Sequence, residues 1–155
     1  IYCSKRVGDE IKQRFPYAFA EIKYPGAPSF ELHEISGPFT LFDAYVTPVE
    51  VLHHKLAIFG FRFKNLVYIT DASAIPHKEM EKLKDLDYLI LNCIRKEEPH
   101  PAHFILPQVL ELFKILKPKK MFLTHISHHM GMHQDVENEL PENVHLAFDQ
   151  LEIDF

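Results

Sequence analysis

Val67-Tyr68-Ile69-Thr70-Asp71 reads as a short apolar strand that ends on a carboxylate. Met121-Phe122-Leu123-Thr124-His125 repeats the arrangement with an imidazole, and Thr47-Pro48-Val49-Glu50-Val51-Leu52-His53 does so a third time. Each polar residue closes an apolar run and opens a loop. From that position, side chains of neighbouring strands can reach one shared site beyond the carboxyl ends of a sheet. Imidazole nitrogen and carboxylate oxygen together suit a divalent ion of hard-to-borderline character. Three ligands leave two metal sites incomplete, so the remaining ligands are expected upstream of Ile1.

Working outward from these runs, the chain changes character near Asp71. Before it, Gly8 to Phe15 reads as a short helix stopped by Pro16. Phe30–Ile35, Phe42–Leu52, Leu56–Phe63 and Leu66–Thr70 read as strands with short, antiparallel-type connections. After it, strands and helices alternate. A helix is expected over Pro76–Leu86, a strand covered on both faces over Asp87–Ile94, and an amphipathic helix over His103–Leu116. A buried strand over Met121–Thr124, a short helix over Gln134–Glu139 and strands over Val144–Phe148 and Leu151–Phe155 complete the pattern. Such alternation implies an α/β layer with a mixed sheet and outer helices.

Composition narrows the classes of function. No apolar run approaches the roughly 20 residues that span a bilayer, so no membrane partner is expected. A formal charge of −5 disfavours broad electrostatic capture of nucleic acid, without closing that option. Cys3 and Cys93 are far apart and form no CxxC pair, a usage that fits a reducing cytoplasm. The 155 residues suit one domain or a large part of one, and they begin with neither an initiator Met nor a targeting segment. The expectation is therefore the C-terminal portion of a single domain whose N-terminal part lies upstream. An apolar sheet face left without its cover would favour a homodimer.

Eleven histidines are many for this length, and they cluster. His125, His128, His129 and His133 fall within nine residues, too close together to attribute to packing alone. His129 and His133 have the i, i+4 spacing of a helical metal pair, but Gly131 between them argues for loop positions instead. His53 and His54 are neighbours that a strand would point in opposite directions, so one of them is ordinary. His100 and His103 stand at the entry of the long helix, where the positive end of the dipole disfavours an imidazolium. A neutral imidazole there could donate a hydrogen bond or shuttle a proton. No phosphate-cradling glycine loop, serine nucleophile elbow or supported Cys–His pair is present, which leaves metal-assisted hydrolysis as the enzymatic reading.

Taken together, these stretches resemble the C-terminal half of the metallo-β-lactamase-fold hydrolases. The likeness is to the phosphodiesterase-like branch, which includes the cyclic phosphodiesterases of phosphonate breakdown and ribonuclease Z. The residues that carry it are Thr47 to His53, Gly60-Phe61-Arg62 running into Tyr68-Ile69-Thr70-Asp71, His100-Pro101-Ala102-His103-Phe104, and Leu123 to His128. The resemblance implies the C-terminal part of an αββα sandwich and a cofactor of two divalent metal ions, Zn or Mn. It further implies that His53 completes one metal site, that Asp71 bridges both ions, and that His125 belongs to the second. His103 resembles the catalytic histidine beside the substrate phosphate, and the implied partner is a small-molecule phosphodiester. The family's HxHxDH motif occurs nowhere between Ile1 and Phe155, so these 155 residues alone are expected to be inactive. A non-catalytic α/β binding or assembly domain and a ribonuclease Z-like nuclease are the alternative readings.

Overall fold

The computed structural model describes all 155 residues, which divide into two compact units, Ile1–Phe39 and Thr40–Phe155. In the first unit, strand β1 (Tyr2–Cys3) is followed by helix α1 (Lys5–Arg14) and by strand β2 (His33–Glu34), parallel to β1. The helix begins three residues before the expected Gly8 because Ser4 caps it: the Ser4 Oγ accepts the Val7 N–H at 3.4 Å. It ends at Arg14, and Pro16 opens a separate 3-10 turn over Pro16–Ala18. Of the strand expected over Phe30–Ile35, only the two residues paired with β1 form.

The second unit is built on a seven-stranded sheet. Its members in chain order are β3 (Phe39–Leu41), β4 (Ala44–His53), β5 (Leu56–Phe63), β6 (Leu66–Ile69), β7 (Tyr88–Asn92), β8 (Lys120–Thr124) and β9 (Val144–Leu146). Spatial order equals chain order. β4, β5 and β6 pair antiparallel through tight turns, and β6 to β9 run parallel. Helix α2 (Leu106–Leu116) links β7 to β8, and α3 (His133–Glu139) links β8 to β9. The mixed sheet with flanking helices expected from the sequence is thus present.

Period-two alternation decides which face is inside. Val67, Ile69, Leu89, Leu91, Met121, Leu123, Val144 and Leu146 are buried and share one core cluster with Val109 of α2 and Val136 of α3. Burying each large aliphatic side chain of this set contributes about 1.5–3 kcal/mol. The opposite face carries Tyr68, Ile90 and Phe122, which stay partly open, Tyr68 at 44% exposure. β7 is therefore covered on one face, not on both as its apolar run suggested. Gly60 is required where β5 passes β6, since a Cβ there would lie 2.5 Å from Ile69 Cγ1 and 2.9 Å from the Tyr68 carbonyl oxygen.

Three further expected elements differ. The helix expected over Pro76–Leu86 is a 3-10 segment, His77–Leu83. Arg62 takes the Lys82 and Lys84 carbonyls at 2.7 and 3.0 Å, acceptors that a continuing helix would use itself. Helix α2 begins at Leu106 instead of His103, because Ile94, Phe104 and Leu106 are held in extended backbone pairing: Ile94 N–H to Phe104, Phe104 N–H to Ala72 and Leu106 N–H to Arg95. No strand forms over Leu151–Phe155. Leu151 and Ile153 instead help line a groove of about 210 Å³ with Tyr68, Ile90 and Phe122.

The outer edge at β9 is closed off. The Val144 N–H goes to the Pro141 carbonyl at 3.1 Å, and the Leu146 N–H goes to Glu137 Oε2 at 2.8 Å. Glu137 also pairs through Oε1 with His145 Nδ1 at 2.7 Å.

Candidate metal centre

Four side chains converge where β4, β6 and β8 end. His53 is the last residue of β4, Asp71 follows the end of β6 by two residues, and His125 directly follows β8. His103 arrives on the segment between β7 and α2, three residues ahead of the helix. One potential ligand atom from each of His53, Asp71 and His103 lies within 4.8 Å of the others. Asp71 Oδ1 is 3.2 Å from His125 Nε2 and 3.8 Å from His103 Nδ1. The His103 ring lies 5.0 Å from that of His53 and 5.9 Å from that of His125, centroid to centroid.

Asp71 and His125 both stand in left-handed backbone, at φ 57° and 59°. This turns each chain sharply off its strand while the side chain stays at the sheet edge. Aspartate tolerates the conformation better than most residues; at either position it costs some free energy.

The tautomer of His53 is set by two carbonyls. Its Nδ1 lies 2.8 Å from the Asp71 oxygen and 3.1 Å from the Ala102 oxygen, so it must carry the proton and donate. In the neutral ring this makes Nε2 the lone-pair nitrogen, the one through which imidazole ligates a metal. His100 works in the opposite sense. Its Nδ1 accepts from the Ala102 and His103 N–H groups at 3.2 and 3.1 Å, and this folds the loop that presents His103. The sequence placed His100 only at the entry of the long helix, and the fold shows this role.

His103 is well enclosed, its side chain 13% exposed against 37% for His125 and 45% for Asp71. Burial holds its imidazolium below the ordinary histidine range, and His100, His53 and His125 add to that effect while Asp71 opposes it. The helix dipole is not needed to keep it neutral, since α2 starts further on. His103 Nδ1 is the one buried side-chain polar atom without a hydrogen-bond partner. Asp71 Oδ1, at 3.8 Å, is too far away to serve. The Asp71 carboxylate with the imidazole nitrogens of His125 and His53 is a donor set that suits a divalent cation, so the residues fit such an ion.

The remaining histidines stay outside this constellation. His54 sits in the turn after β4 at φ 56°, with its N–H on Ser73 Oγ. His128 and His129 pack on each other at 3.9 Å in an exposed turn, and His133 opens α3. The i, i+4 pair therefore does not share a helix.

Residues 1–126 match the family model of a β-lactamase superfamily domain. The crystal structure of a diphosphatase of the PhnP family superposes with TM-score 0.87 at 34% identity, over 99% of this chain and 57% of that one.

This chain belongs to the metallo-β-lactamase-fold hydrolases.

Human tRNase Z, short form, shares the fold at TM-score 0.66 and 18% identity, over 97% of this chain and 65% of that one. A curated protein of Porphyromonas gingivalis named octanoyltransferase is 32% identical over 154 residues, 98% of this chain and 31% of that protein. The chain thus spans just over half of the diphosphatase and about a third of the curated relative. For a chain of this metal-dependent hydrolase family, a histidine-and-aspartate cluster at the strand ends is the natural candidate centre.

Two residues that build this centre were not singled out from the sequence. Asn92 is fully buried, and Ser73 ties the loop after β6 to β4. The signal for Asn92 was a carboxamide inside the otherwise apolar run Tyr88–Ile94.

Proposed function

We propose that the protein is a metal-dependent phosphodiesterase and that this chain supplies the edge formed by His53, Asp71, His125 and His103. The observation that carries this reading is the convergence on Asp71 Oδ1, with His125 Nε2 3.2 Å away and the unpartnered Nδ1 of His103 at 3.8 Å. Similarity to a diphosphatase at 34% identity supports a phosphoryl substrate. A pair of divalent ions, Zn or Mn, supplies Lewis acidity at such an edge, activating water and offsetting charge on phosphoryl oxygens.

The chain's own residues divide the work. His53 presents Nε2 because two carbonyls hold its Nδ1 proton. Asp71 would offer its carboxylate and His125 its Nε2, 3.2 Å from Asp71 Oδ1, to the ions. His103 uses the ring nitrogen away from Asp71, as the neutral imidazole to donate a hydrogen bond to a phosphoryl oxygen, or as the imidazolium to protonate the leaving oxygen and return to the neutral ring. These four side chains do not fill two coordination spheres, so further ligands come from outside these 155 residues, which form one portion of a larger hydrolase domain. The substrate is a small phosphodiester and the setting is cytoplasmic, in keeping with two free, buried cysteines. The octanoyl transfer named for the curated relative is not carried over. Burial pushes the Cys93 thiol up to about 12, and Cys3 is buried too, so this chain offers no accessible thiolate as an acyl carrier.

The test is hydrolysis by the full-length protein, loaded with Zn or Mn, of a panel of phosphodiesters beside phosphomonoesters and carboxylic esters. Turnover of at least one phosphodiester, abolished by a chelator and restored by metal, is expected. A metal-loaded protein that leaves every diester intact overturns the proposal.

A further inference from the structure

Asn92 ends β7, is fully buried, and belongs to none of the four converging side chains. Its carboxamide makes two hydrogen bonds to a single residue. Oδ1 accepts the Ala72 N–H at 2.7 Å, and Nδ2 donates to the Ala72 carbonyl at 2.9 Å. These partners fix the orientation of the amide, since the reverse assignment would set donor against donor and acceptor against acceptor. The same Ala72 carbonyl accepts the Phe104 N–H at 2.8 Å. Ala72 therefore joins three things: Asp71 before it, Asn92 at the end of the neighbouring strand, and Phe104, the residue after His103.

The reason for a side chain here lies in the backbone. β6 pairs with β7 only as far as Ile69 opposite Leu91, and Asp71 then turns off at φ 57°. Past that turn, the Ala72 amide and carbonyl have left the strand ladder while remaining inside the core, where each would be costly if unpaired. A carboxamide carries the donor and acceptor of a peptide group on a short arm, so it continues the ladder where the backbone of β7 cannot. A hydrocarbon of the same size would fill the space but leave the Ala72 N–H unpaired and its carbonyl held by Phe104 alone.

We propose that Asn92 is the positioning residue of the metal centre, setting the orientation of the Asp71 carboxylate and its separation from His103 through Ala72. This rests on the proposed metal site. Partners of this kind behind a metal ligand are worth about 10–100-fold in metal affinity.

The test uses the full-length protein loaded with Co²⁺, reading the visible d–d spectrum and the affinity by chelator competition, well below each variant's Tm. Asp71→Ala tests the metal site itself, and Asn92→Ala and Asn92→Asp test the positioning. Leu86→Ala is the control for lost stability, since Leu86 is a core residue before β7, about 20 Å of strand from Asn92. Both Asn92 variants are expected to bind Co²⁺ about 10–100-fold more weakly with altered bands, while Leu86→Ala keeps the spectrum and affinity of the wild type. Asn92→Asp keeps the side-chain shape and carries the comparison if Asn92→Ala does not fold. Wild-type affinity and bands in a folded Asn92 variant, with binding lost in Asp71→Ala, overturn the positioning role alone. A wild type that binds no Co²⁺, or an Asp71→Ala that binds it unchanged, overturns the metal site beneath it.

Discussion

The loop after β6 and the loop after β8 start alike and are held differently. Each leaves its strand through a threonine, Thr70 or Thr124, and then a polar residue in left-handed backbone, Asp71 or His125. Beyond that point the first loop is bound into the fold from three directions. Ala72 is clamped by Asn92 and Phe104, and the Ser73 N–H and Oγ both reach the Leu52 carbonyl, beside His53. The second loop is fastened at two points, by Ser127 to the Ile94 carbonyl and by the buried Met130, with His128 and His129 standing exposed between them. The same turn off a strand thus yields one candidate ligand on a rigid mount and one on a looser mount.

The largest way to break this comparison is Asp71→Ala in the full-length protein. If Asp71 holds the ions as proposed, metal content by elemental analysis should collapse and phosphodiester turnover should fall to background. Unchanged metal content would show that the rigid loop holds no ligand. Next is His103→Ala, which should keep most of the metal while lowering kcat about 10²–10⁴-fold, least for substrates with good leaving groups. If metal is lost with it, the orphaned Nδ1 is itself a ligand.

Ser127→Ala probes the looser mount. It removes a 2.6 Å hydrogen bond from a half-buried hydroxyl and should cost about 1 kcal/mol, seen as a Tm lowered by about 2–4 °C. Metal affinity should weaken by less than in Asn92→Ala; an equal or larger loss would reverse the ranking of the two loops. Smallest of all is His129→Ala, which alters an exposed side chain and should move stability by no more than about 0.5 kcal/mol, with metal content unchanged.

What could be read in the sequence was the part that depends on periodicity and on chain direction. The strands from β4 to β8 and the placement of His53, Asp71 and His125 at their ends follow from apolar runs closed by polar residues. The 3-10 segment His77–Leu83 was not legible as such, because Arg62, some 20 residues earlier, diverts its carbonyls. The late start of α2 depends on backbone bonds to Ala72 and Arg95, which no local propensity reveals. The run at Leu151–Phe155 has strand composition but no ladder, and its apolar residues meet the sheet face instead. The same limit hid Asn92. A lone carboxamide in a strand announces that something polar must be nearby, but only the fold says that it is the residue after Asp71.

The short strand β9 has one further consequence. An edge strand ordinarily displays a row of unpaired N–H groups that another chain can zip onto, the route to runaway β-aggregation. Here Pro141 has the Val144 N–H, and the Glu137 carboxylate has that of Leu146 while also gripping His145. A polymerising neighbour would find no donor to accept from along this border and would first have to displace a charged side chain held by two contacts. Self-association along the hydrogen-bonding direction is thereby discouraged at β9 by one glutamate.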